Sequence, residues 1–157
     1  MYYENNISTM RINAPKQHQC IIMQLITGLS NLRTDAKTKL VAYPETMIDE
    51  SQTSPLPDVL LYDHENEKTK VIIEITHTDG VKKDIRKVIS LMNDYDVNEG
   101  FVYNYKQKKW FKFTLNEGEI VPNTSFCGAV LYDLNTFLVY TNRQYFSKKR
   151  YLHNILS

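Results

Sequence analysis

The stretch PLPDVLLYDHENEKTKVIIEITHTDG, residues 55–80, holds two apolar runs with a carboxylate set into each. Asp58 follows Pro57 at the mouth of the first run, and Glu74 interrupts the second, with Val71, Ile72 and Ile73 before it and Ile75 after. The polar residues 64–70 between the runs read as a hairpin turn joining two strands. Side chains alternate along a strand, so Glu74 and Thr76 share one face while Ile73 and Ile75 point the other way. In an antiparallel hairpin the start of one strand lies opposite the end of the next, which brings Asp58 and Glu74 together. A carboxylate inside an apolar strand is costly unless it is paired, hydrogen-bonded or bound to a cation. Two of them side by side repel, and one stays protonated unless a divalent cation lies between. Mg²⁺ or Mn²⁺ is the expected ion, held by Asp58, Glu74 and the carbonyl of Ile75, with water and phosphate oxygens completing its shell. The plainer alternative has Asp58 capping a loop and Glu74 paired with Lys82 or Lys83.

The segments around this hairpin predict its setting. Ile21, Ile22, Leu25, Ile26 and Leu29 recur at helical spacing over residues 16–33. KLVAYPETMID reads as a strand made irregular by Pro44, and SQTSPLP as a loop. After Glu74, a second helix is capped by Thr78 or Asp79 and lined by Val81, Ile85, Val88, Ile89 and Met92. GFVYNYKQKKWFKFTL is a strand, a basic turn and a strand ending at a Gly118 turn, and CGAVLYDLNTFLVY starts extended, then stays so or turns helical. The first dozen residues read as a strand or arm, and the last fifteen as a basic terminal helix. Runs apolar on both faces, such as VIIEI, call for a central sheet covered by helices on both sides, in α/β order within one domain.

At 157 residues and net charge +1, the chain carries no global signature of a nucleic-acid or membrane partner. Charge is nevertheless uneven, net −4 over residues 1–100 and net +5 over 101–157. The excess lies in Lys106, Lys108, Lys109 and Lys112, and in Arg143, Lys148, Lys149 and Arg150, clusters that suit either phosphate or plain solvent. Cys20 and Cys127 lack metal-type spacing and are expected as buried free thiols. With no leader and no apolar run near the roughly 18 residues of a membrane span, a cytoplasmic protein is expected.

PDVLLYD, with EIT following 16 residues after Asp58, resembles the PD-(D/E)XK nuclease superfamily. More narrowly, the chain resembles its Uma-type branch of candidate endonucleases, in order over residues 10–140. APKQHQCIIMQLITGL is similar to the opening helix with its His18; PDVLLYD and VIIEITHTDGVKKDIRKV to the two site strands and the next helix; SFCGAVLYDLNTFL to the closing segment. The resemblance implies a restriction-endonuclease-like core in α-β-β-β-α-β order with a central mixed sheet. It implies Mg²⁺-dependent cleavage of phosphodiester bonds, in DNA, with nucleic acid as partner; a domain this small needs two sites to cut both strands, so a homodimer is expected. Asp58, Glu74 and Ile75 would hold the metal, and Asp84 and Lys87 would orient water or phosphate. Lys106, Lys108, Lys109 and Trp110 would hold the nucleic-acid backbone by charge and stacking. Two positions depart from the pattern. Thr76 stands where the superfamily sets its lysine, and Val88 stands where the Uma-type branch moves it, with Lys87 adjacent. On an ideal helical wheel Lys83 and Lys87 fall opposite the apolar stripe, where lysines are solvated. His77 reads as structural, Glu45 as a lesser candidate acid and Asp63 as a turn residue. The same fold without catalysis, serving as a nucleic-acid-binding or assembly module, is the alternative.

Overall fold

The computed structural model describes residues 15–51 and 53–138. The expected N-terminal arm and C-terminal helix, with Arg143, Lys148, Lys149 and Arg150, lie outside them. Helix α1 (Lys16–Thr34) opens after Pro15 and buries Ile21, Ile22, Leu25, Leu29 and Leu32. Strands β1 (Val41–Pro44), β2 (Val59–Asp63) and β3 (Lys68–Thr76) follow as an antiparallel meander. Helix α2 (Val81–Tyr95) crosses over to β4 (Glu99–Asn104), which lies parallel to β3. Strands β5 (Lys109–Thr114) and β6 (Gly118–Ile120) complete a six-stranded mixed sheet in sequential order.

The sheet has two apolar faces, as the unbroken runs required. Val59, Leu61, Val71, Ile73, Ile75, Phe101 and Tyr103 pack under α1. Leu60, Ile72, Val102 and Phe113 pack under Val88, Leu91 and Met92 of α2. Gly100 makes the second contact close. A Cβ there would stand 2.4 Å from Met92 Sδ and 2.5 Å from Val88 Cγ1, so only glycine lets α2 settle on β4.

Several boundaries differ from expectation for local reasons. β1 stops at Pro44, and Glu45 takes φ +42°. The turn expected at Gly118 lies at 115–117; Gly118 itself, φ +74°, opens β6. Neither Thr78 nor Asp79 caps α2; residues Thr78–Gly80 form a separate 3₁₀ turn, and Gly80 precedes the helix without a side-chain cap. Ile89 is 40 % exposed and Leu91 takes its place in the core. The closing segment becomes a two-residue hairpin, β7 (Phe126–Cys127) and β8 (Tyr132–Asp133), then a 3₁₀ turn over Leu134–Leu138. Both cysteines are free, with Cys127 buried and Cys20 only half-buried.

Candidate active site

Asp58 sits one residue before β2, where pairing with β3 ends at Val59–Ile73. Its carboxylate continues the ladder that the strand has not yet begun: Oδ2 accepts the backbone N–H of Ile75 at 2.7 Å. The Asp58 carbonyl accepts the N–H of Glu45 at 3.0 Å, so β1 is tied in as well. His18, near the start of α1, places Nε2 3.3 Å from the same Oδ2. A strand residue directs its N–H and C=O to the same side. The Ile75 carbonyl therefore faces the gap beyond the start of β2, on the side of His18. The hydrogen bond to Asp58 raises the His18 pKa above the ordinary imidazole value; burial opposes it, and the Asp58 charge and the Ile75 backbone add to the rise.

Glu74 lies on the α2 side of β3, 3 % exposed. Burial pushes its carboxyl up to about 8, the Asp58 charge and then Asp84 add to the rise, and Lys87 opposes it. Lys87 reaches back from α2, as helical side chains lean toward the N-terminus. Its Nζ donates to the Leu56 carbonyl at 2.6 Å and lies 2.7 Å from Glu74 Oε1. The contact with Glu74 is a close charge-assisted pairing, so the ammonium faces this buried oxygen. Thr76 is 3 % exposed, and a Cβ on Gly80 would stand 2.3 Å from its Oγ1 and 3.4 Å from Asp84 Oδ2.

One corner thus gathers Asp58, Glu74, Ile75, Asp84, Lys87 and His18. Lys87 is not the solvated residue of the helical wheel: its side chain is 27 % exposed and spent on Glu74 and Leu56. Lys82, Lys83 and His77 are exposed, and neither lysine is the partner of Glu74. Glu45 is exposed and touches the site through its backbone and its charge on His18. Asp63, at the far end of β2, accepts the backbone N–H groups of Glu65 and Asn66, a turn residue as expected.

The basic turn lies at the same end of the sheet, because β3 and β4 run parallel and Thr76 is level with Asn104. Lys106, Lys108 and Lys109 are exposed there. Trp110 corrects the expectation of a stacking platform. It is 5 % exposed, packs on Phe101 and Tyr103, and donates Nε1–H to Asn135 Oδ1 at 3.0 Å. An indole so enclosed offers no face to a base. Lys112 is also turned inward, 3.1 Å from Glu99 and bonded to the Phe126 carbonyl at 2.8 Å. Asn104 is a residue that the sequence reading passes over. Its Oδ1 accepts the N–H groups of Lys106 and Gln107 and its Nδ2 reaches Thr78 Oγ1 at 3.5 Å, so it shapes the basic turn and ties it to the 3₁₀ turn after the site strand. An asparagine ending an apolar run before a lysine-rich turn is the signal that could have found it.

Among the described residues, no group of three or more His, Cys, Asp and Glu side chains converges as a metal cage. The donor set at this corner is instead two carboxylates and a backbone carbonyl, which suits Mg²⁺ or Mn²⁺ and not zinc. Glu74 Oε1, buried and already faced by the positive charge of Lys87, fits such an ion.

No family model matches the chain, and no curated protein matches it in sequence. Among solved structures it is similar to a candidate nuclease belonging to DUF820 from Anabaena variabilis ATCC 29413, at TM-score 0.62 and 14 % identity, over 82 % of this chain and 84 % of that one. The two share a fold. The expected α/β, restriction-endonuclease-like core is therefore the one observed. The type IIG restriction endonuclease BpuSI is also similar, at TM-score 0.47 and 13 % identity, over 79 % of this chain and 16 % of that one. No helix among the described residues is long and apolar enough to cross a membrane.

Proposed function

We propose that the chain is a nuclease that hydrolyses phosphodiester bonds of DNA with the help of Mg²⁺ or Mn²⁺, in the manner of the Uma-type branch it resembles. The observation that carries the reading is the placing of Asp58 and Glu74 at one strand end, near enough for the Asp58 charge to act on Glu74, with the Ile75 N–H on Asp58 and Lys87 against Glu74. Asp58, Glu74 and the Ile75 carbonyl would hold the ion, which when bound supplies a lowered water pKa and neutralises charge developing on the phosphate. The protein's own residues do the rest. Ile75 N–H and His18 both engage Oδ2 of Asp58, which leaves Oδ1 for a ligand. Lys87 brings an ammonium to the phosphate oxygens, and Asp84 lies where it can orient water. Lys106, Lys108 and Lys109 hold the backbone of the nucleic acid by charge. As water attacks phosphorus, the bond to the departing sugar oxygen breaks and that oxygen takes up a proton. A homodimer would present two such sites for two strands.

A non-catalytic nucleic-acid-binding module is the second reading, and a specific observation favours it. Thr76 fills the usual lysine position, and the ammonium of Lys87 is engaged by Glu74 and Leu56. Calorimetric titration with Mn²⁺, beside Glu74→Gln and with plasmid and RNA cleavage on the same samples, separates the two. Binding lost in the variant together with DNA nicking supports the nuclease. Absence of Mn²⁺ binding in the native protein favours the module.

A further inference from the structure

We propose that Lys87 is the site's internal counter-ion: its ammonium holds, against Glu74, the place a divalent cation takes, and cation binding releases it toward the substrate phosphate. This rests on the nuclease reading above and adds to it a means by which the site stays closed until the ion arrives.

Three features of Lys87 carry the inference. Its two contacts differ in kind. It donates to the Leu56 carbonyl, a fixed backbone atom, at 2.6 Å, and lies 2.7 Å from Glu74 Oε1, a side-chain atom. When an ion takes Glu74, Leu56 remains as a pivot. The neighbouring Val88 is fully buried, so α2 stays seated while the ammonium swings. Finally, Lys87 answers one carboxylate of two. Asp58 is served instead by Ile75 N–H and His18. A single ammonium on Glu74 leaves the repulsion between the carboxylates in place, whereas a divalent ion between them satisfies both. The larger charge displaces the smaller.

The test uses the full chain. Lys87→Gln removes the ammonium, and Lys83→Gln removes an exposed lysine of the same helix as control. In calorimetric titration with Mn²⁺, Lys87→Gln binds on the order of tenfold more tightly than the native protein, the scale on which close charge pairs act, and Lys83→Gln binds as the native protein does. A second measurement needs no variant. Acylation of lysines by an amine-reactive ester, read by mass spectrometry, rises several-fold at Lys87 on addition of saturating Mn²⁺ and does not change at Lys83. Mn²⁺ binding by Lys87→Gln alone, with none by the native protein, overturns the release, because the ion then fails to displace the ammonium. Equal or weaker binding by Lys87→Gln, or unchanged acylation while calorimetry shows the ion bound, overturns it and leaves the cation site standing. If neither protein binds Mn²⁺, the cation reading falls and the counter-ion with it.

Discussion

Oδ2 of Asp58 takes the backbone N–H of Ile75 at 2.7 Å, so a side chain extends the hydrogen-bond ladder past the end of its own strand. One residue is thereby both a structural acceptor and a candidate ligand. The two roles separate by substitution. Asp58→Asn keeps an oxygen for Ile75 and loses the charge; Asp58→Ala loses both. Urea denaturation should find the alanine variant less stable by about 1–3 kcal/mol, the cost of a buried donor left unmatched, and the asparagine variant close to native. Both should lose Mn²⁺ binding in calorimetry. An asparagine variant that binds Mn²⁺ as tightly as the native protein would remove Asp58 from the site.

Glu74 gives the ion-free protein a pH dependence of definite sign. Its carboxyl is raised in the folded state to about 8, against an ordinary value of 4.5. Between those values burial and the Asp58 charge keep on the folded chain a proton that the unfolded chain has released, and the pairing with Lys87 gains its full charge only as pH nears the upper value. Stability is thus greatest below the lower value and falls as pH rises toward the upper one, by at most about 1.4 kcal/mol per pH unit from this group. His18, also raised, acts in the same direction as pH rises through its folded value. Urea midpoints measured from pH 5 to 9 without metal should decline, and Glu74→Gln should flatten the decline. A slope equally steep in the variant would assign it to other groups.

The basic turn and Trp110 should part company in binding experiments. Lys106, Lys108 and Lys109 changed together to glutamine should weaken DNA binding and lower the slope of log affinity against log salt by about 0.9 for each phosphate no longer neutralised. Trp110→Phe should leave both quantities unchanged. Trp110→Ala should instead cost roughly 3–5 kcal/mol of stability, as large core truncations do. Quenching of Trp110 fluorescence by direct stacking on a base would contradict the burial of the ring.

Gly100→Ala tests whether the seat of α2 governs the site. The added methyl would meet Met92 and Val88 well inside contact distance. The helix must then lift from β4, at about 1–3 kcal/mol for an overpacked core. Lys87 rides on that helix, so its hold on Glu74 and Leu56 loosens too. Acylation of Lys87 should rise in this variant without any added ion.

The hairpin, both helices and the two-faced sheet are legible because each rests on period: alternation for strands, i, i+3 and i+4 for helices. The nearness of Asp58 and Glu74 follows from the same alternation and from turn length. Lys87 is less legible, because a wheel gives the direction of a Cα–Cβ bond and says nothing of how far a flexible chain bends back. Trp110 misleads for a related cause. The neighbouring lysines are exposed, but in a strand the next residue faces the other way, and the indole finds Asn135, 25 residues on, as its partner. His18 and Asp58 are brought together by the packing of α1 on the sheet, a relation between distant segments that no local pattern encodes.

Thr76 and Gly80 constrain where an ammonium can enter the site. The backbone of Gly80 lies so close over Thr76 that a methyl there would stand 2.3 Å from the hydroxyl, and Thr76 itself is 3 % exposed. A lysine at 76, the arrangement of the superfamily this chain resembles, would drive a longer chain into filled space beneath the Thr78–Gly80 turn. The ammonium at this corner therefore comes from the helix, through Lys87, and not from the strand.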